Sequence, residues 1–115
     1  MSDRLSEFRA YRERMNERIL ENATLTTKRF FNLDTRCYED GALDARTKEM
    51  LGLSASMVLR CDDCIAYHVI RCVELGVKRE ELLEIFDVGL IVGGSIVIPH
   101  LRRAHELLDE LLGDV

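Results

Sequence analysis

The chain has no tryptophan, one proline and seven glycines among its 115 residues. So little turn punctuation argues against a many-stranded fold. β-Branched residues are sparse outside Ile91 to Ile98, which again disfavours sheets. There is no excess of positive charge: the formal net charge is −5. A nucleic-acid partner is therefore not expected, because neutralising phosphates needs a basic face. The arginines 4, 9, 12, 14 and 18 alternate with glutamates 7, 13, 17 and 21, which is a solvated helix face and not a patch. The longest apolar run, LIVGGSIVI, is about half of a bilayer span and is flanked by charge, so no membrane segment is expected. The opening residues MSDRLSEFRAYRERM have no apolar signal core. The expected location is thus the cytoplasm, with Cys37, Cys61, Cys64 and Cys72 as reduced thiols and no structural disulfide framework.

What is present is helical patterning. Apolar residues make up 47% and charged residues 32%, a globular balance. The length suits a single domain over residues 1–115. The pattern predicts an all-α fold of about six helices. The first spans about Ser2 to Glu21, with Ser2 and Asp3 able to cap it. The second opens at Thr24 or Thr26 and ends before Asp40-Gly41. The third starts at Asp44, the fourth at Cys61-Asp62 with a stop at Gly76, and the fifth near Lys78. The fifth is expected to run as a buried helix through Ile91 to Ile98, with a strand over 95–98 as the alternative. Pro99 then kinks or ends it and starts the sixth, which stops at Gly113. Gly93 and Gly94 would admit a close helix neighbour. A helix apolar on all sides in so short a chain also points to a subunit interface.

The chemistry concentrates between Glu49 and His68. Cys61 and Cys64 form a CxxC, His68 follows four residues later, and Glu49 lies twelve before Cys61. In one straight helix Glu49 and Cys64 would stand about 22 Å apart. The group works only if the chain breaks between them, and Arg60-Cys61-Asp62-Asp63 supplies residues suited to a helix start. Thiols in a first helical turn meet the positive end of the dipole, which favours thiolate. Asp62 and Asp63 oppose it. Cys64 and His68 share a face, and a returning Glu49 can orient His68. Two thiols, an imidazole and a carboxylate make a relay for activating a sulfur nucleophile. First-turn exposure alone favours Cys61 as the accessible thiol.

The pattern Glu-x11-Cys-x-x-Cys-x-x-x-His, here Glu49, Cys61, Cys64 and His68, resembles the alkylhydroperoxidase D-like branch of the carboxymuconolactone decarboxylase family. The flanks GALDARTKEM and ELGVKREELLEIFDVGLIVGGSI match as well, so the likeness covers roughly Phe30 to Leu111. The resemblance implies an all-α helical bundle with the CxxC at the start of a central helix. It implies a homo-oligomer, a trimer or a hexamer with the hexamer favoured. It implies hydroperoxide reduction through a dithiol–disulfide cycle, without a cofactor or metal, reset by an external dithiol or redox protein. In that cycle Cys64 attacks, Cys61 resolves, and Glu49 and His68 relay protons. Some members carry histidine where this chain has Asp63, and some carry two copies of the unit. Decarboxylase members lack the cysteine pair, so lactone decarboxylation is not expected.

Other readings stand beside this one. The same fold can serve as a redox sensor, a dithiol relay or a stress-response module, or as a non-redox enzyme. Cys61, Cys64, His68 and Cys72 together have the donors of a zinc site, although the second ligand pair usual in structural zinc is missing. Cys72 and Cys37 read as packing cysteines. His100 and His105 read as structural or exposed, with His100 also a candidate to line the site from a neighbouring helix. Tyr67 is a candidate pocket wall.

Overall fold

The computed structural model describes residues 3–113. Six α-helices follow one another: α1 (Arg4–Asn22), α2 (Leu25–Cys37), α3 (Ala45–Leu59), α4 (Asp62–Glu74), α5 (Arg79–Gly93) and α6 (Ile98–Leu112). A single 3-10 turn, Ser95–Val97, joins the last two, and no strand occurs among the described residues. The all-α expectation is met.

The chain divides into two compact units, one ending at Glu39 and the other starting at Asp40. In the first, Asp3 caps α1 by accepting the Ser6 N–H at 2.7 Å, and Thr24 caps α2 through Thr27. Ser2, the other expected cap, lies outside the described residues. Neither α1 nor α2 has a buried residue.

The second unit holds the core. α3 packs against α4 and α5, and α4 packs against α6. Leu53, Met57, Val69, Leu82, Phe86, Leu107 and Leu108 are each at most 2% exposed. Burying one such side chain stabilises by about 1.5–3 kcal/mol. Close approach of α3 and α5 depends on Gly89, where an added Cβ would lie 3.0 Å from Met57, and on Gly93, which faces Val58. Arg46 of α3 also reaches both carboxylate oxygens of Glu81 at 2.6 Å, and holds that carboxyl below its usual range.

The end of α5 departs from expectation. The helix does not run on to Pro99. It stops at Gly93, because Gly94 takes φ +85°, a conformation open to glycine and strained for other residues. Ser95 to Val97 then make the 3-10 turn, where sequence had allowed helix or strand. Pro99 sits in the first turn of α6, where a missing N–H breaks no helical bond. Proline therefore starts the last helix, and glycine ended the one before.

Candidate active site

The fold-back that the site requires takes two residues. α3 ends at Leu59 and α4 begins at Asp62. Arg60 adopts φ 58°, ψ 44°, the left-handed conformation. Its N–H donates to the Met57 carbonyl and the Cys61 N–H to the Ser56 carbonyl, the paired bonds of a Schellman stop. The same pair closes α4, from Gly76 to Val73 and from Val77 to Cys72. There glycine takes the left-handed position (φ +86°). At the site arginine holds it, at a cost of about 1–2 kcal/mol.

The reversal makes Cys61 the N-cap of α4. Its sulfur accepts the Cys64 N–H at 3.3 Å, the role usually taken by a serine or aspartate oxygen. Asp62 and Asp63 fill the first two helical positions, at the helix start expected for this stretch, while the cap itself is Cys61. The two sulfurs lie 2.6 Å apart, so the pair can close into a disulfide with little backbone movement. Cys64 is exposed and Cys61 only partly so, the reverse of the accessibility that first-turn position suggested.

A buried acid–imidazole pair links α3 to α4. Glu49, on the second turn of α3, is 1% exposed, and His68 is 8% exposed. Glu49 Oε2 and His68 Nδ1 are 2.6 Å apart. A buried carboxylate needs partners, and this one has a second: Arg71 Nε stands 3.8 Å from Oε1 while its Nη1 binds Glu74. Tyr67 meets the His68 ring edge-on at 5.3 Å between centroids. Engaging Nδ1 with a carboxylate fixes the orientation of the ring. His68 lies one turn beyond Cys64 on the same helix face. The α3–α4 hairpin thus joins Glu49 to His68 and Cys61 to Cys64, with one helical turn between Cys64 and His68.

Cys72 is 0% exposed, and burial followed by the nearby Glu49 charge pushes its thiol from 9.0 up to about 12. Among the described residues no three of His, Cys, Asp and Glu are grouped to hold a metal ion. Cys37 is exposed on α2, in the first unit. His105 is half-buried against Phe86, with ring centroids 5.3 Å apart. His100 does reach the site's edge, through Asp62, at 2.8 Å. Arg71 and Arg103 were missed from sequence. Arg71 is three residues after His68, a spacing that would have placed it on the same face, but only the return of Glu49 gives it a target.

The carboxymuconolactone decarboxylase family pattern matches residues 24–106, most of the chain. The chain belongs to that family. Solved structures agree with this assignment. A Thermotoga maritima carboxymuconolactone decarboxylase family protein with a suggested part in antioxidative response is 56% identical. It superposes with a TM-score of 0.89 over 93% of this chain and 91% of its own. A member of the carboxymuconolactone decarboxylase family from Legionella pneumophila, solved in its apo form, is 27% identical with a TM-score of 0.86, over 96% of this chain and 98% of its own. In Paracoccus denitrificans, uncharacterized protein 4 in the cox locus is 31% identical, covering 73% of this chain and 76% of its own. No described helix is long and apolar enough to cross a membrane.

Proposed function

We propose that this carboxymuconolactone decarboxylase family member is a thiol-dependent hydroperoxide reductase of the alkylhydroperoxidase D-like kind. The observation that carries the reading is a first-turn dithiol, sulfurs 2.6 Å apart, on the same helix as His68, which follows Cys64 by one turn and is held by the buried Glu49. Cys64 thiolate, the more exposed sulfur, attacks the distal peroxide oxygen. The O–O bond breaks, the sulfur becomes sulfenic acid, and the alkoxide leaves as alcohol with a proton relayed by His68 and Glu49. The Cys61 thiol then displaces water from the sulfenic acid and closes the disulfide. An external dithiol or redox protein of the reducing cytoplasm restores both thiols by exchange and is itself oxidised. The Thermotoga relative's suggested antioxidative part supports the same chemistry.

The working form is a homo-oligomer, trimeric or hexameric. Along α5, Leu82, Phe86 and Gly89 are buried while Val88, Ile91 and Val92 on another face are 53–83% exposed. Leu59 and Ile96 are also exposed at 76% and 56%. A second copy would cover such a surface.

The test is thiol counting by alkylation and mass spectrometry, before and after one equivalent of an organic hydroperoxide. Loss of two thiols, mapped to a Cys61–Cys64 disulfide and reversed by a dithiol, is the expected result. Four free thiols after exposure would overturn the reading. A disulfide that forms only slowly would favour the second reading, a redox sensor or dithiol relay, for which the carboxylates of Asp62 and Asp63 beside the thiols speak.

A further inference from the structure

Asp62 is the one feature of the site that works against thiolate formation and is also held in place by its surroundings. It follows Cys61 directly and opens α4. Read from sequence, its charge opposes ionisation of the neighbouring sulfurs. In the folded chain both of its oxygens are engaged by α6. His100 Nδ1 lies 2.8 Å from Oδ1, and Arg103 Nη1 lies 3.1 Å from Oδ2. His100 and Arg103 are three residues apart at the start of α6, so they share a face. Arg103 also donates to the Pro99 carbonyl at 3.4 Å, which ties it to the same turn.

We infer that His100 and Arg103 are positioning residues for the dithiol, which balance the Asp62 carboxylate and pin the first turn of α4 so that a thiolate can form beside it. The inference rests on the dithiol reading above and adds two residues from a helix that carries none of the motif. Its physical content is a charge balance. An uncompensated carboxylate next to a thiol disfavours the thiolate by like-charge repulsion. Arginine is a permanent cation and its fork matches a carboxylate, so the balance persists at any pH at which the thiols react. Asp63 and Arg60 flank the thiols on their own segment and are both exposed; they remain unchanged in every variant below.

The charge balance makes a prediction that a merely structural clamp does not: substitutions on its two sides act in opposite directions. The measurement is the alkylation rate of Cys61 and Cys64 against pH in the full chain, followed by mass spectrometry. Arg103→Gln is expected to slow alkylation at neutral pH by about three- to tenfold and to move the profile to higher pH. Arg103→Lys restores most of the rate. Asp62→Asn, which removes the carboxylate and leaves the Arg103 cation, speeds alkylation. The double variant Asp62→Asn with Arg103→Gln returns close to the wild-type profile. The inference is overturned if Asp62→Asn slows the thiols as Arg103→Gln does, or if Arg103→Gln reacts as wild type. Should Arg103→Gln fail to fold, Asp62→Asn and Arg103→Lys still decide the sign. The wild-type chain treated with hydroperoxide separates the two failures. No Cys61–Cys64 disulfide there sinks the proposed function, whereas a normal disulfide with unmoved variant profiles sinks only this inference.

Discussion

The two ends of α4 carry the same functional group in opposite settings. At its start, Cys61 and Cys64 sit at the positive end of the helix dipole, within reach of each other and of water. Ten residues after its start, Cys72 is fully enclosed beside an anionic partner, with its thiol pushed up to about 12. One helix therefore opens two thiols to each other and to water, and shuts a third into the core, where ionisation is strongly opposed. The difference is not in the cysteines but in what the helix end and the core offer a negative charge. It also separates redox chemistry from packing within 12 residues of chain.

Breaking that contrast at its active end should have the largest effect. Cys64→Ser is expected to abolish disulfide formation and reduce hydroperoxide consumption to the uncatalysed level. Cys72→Ser should leave both intact, as a coupled peroxide assay with thiol mapping would check. Next comes the relay. Glu49→Gln keeps the shape of the side chain but removes its charge, and turnover should fall about 10²-fold or more if proton transfer limits the reaction. Steady-state kinetics at saturating reductant measures this.

The buried end can be tested by pH. A thiol whose folded pKa is raised favours the folded state in its protonated form. As pH climbs past the unfolded value near 9, the unfolded chain loses that proton first, so stability falls. The loss continues toward about 12 and is bounded at ~4 kcal/mol for a shift of this size. Denaturant midpoints at mild and strong alkalinity, for wild type and Cys72→Ala, should show a steeper decline in the wild type. A smaller effect is expected at the α3–α5 contact. Gly89→Ala places a methyl against Met57 and should cost about 1–3 kcal/mol, read from urea unfolding. The smallest is at the reversal. Arg60→Gly relieves a left-handed arginine and should stabilise by roughly 1 kcal/mol at most, offset by the greater freedom of the unfolded chain.

Much of the architecture could be read residue by residue. Thr24 and Asp44 cap the helices that their positions suggested, and Gly76 and Gly113 end theirs at positive φ. Those are local effects, decided by a side chain and the backbone a few residues away. The break between α5 and α6 was misplaced because Gly94 and Pro99 are both plausible breakers. Gly93 packs under Val58, which fixes where α5 lies, and Gly94 turns it. The accessibility of the two active thiols was reversed for a similar reason. Cys61 turns its sulfur back onto the Cys64 N–H as a cap, which leaves Cys64 outward.

The sequence by itself determined the helices, the spacing of Glu49, Cys61, Cys64 and His68, and the need for a chain reversal between the first and the rest. Caps, periodicity and motif spacing are written within a few turns of chain. Only the tertiary structure decided which charges meet. It seated Glu49 on His68 with Arg71 behind it, and it brought His100 and Arg103 of α6 onto Asp62. Those pairs join residues 19 to 41 positions apart, where packing of one helix against another, and not local propensity, sets the distance.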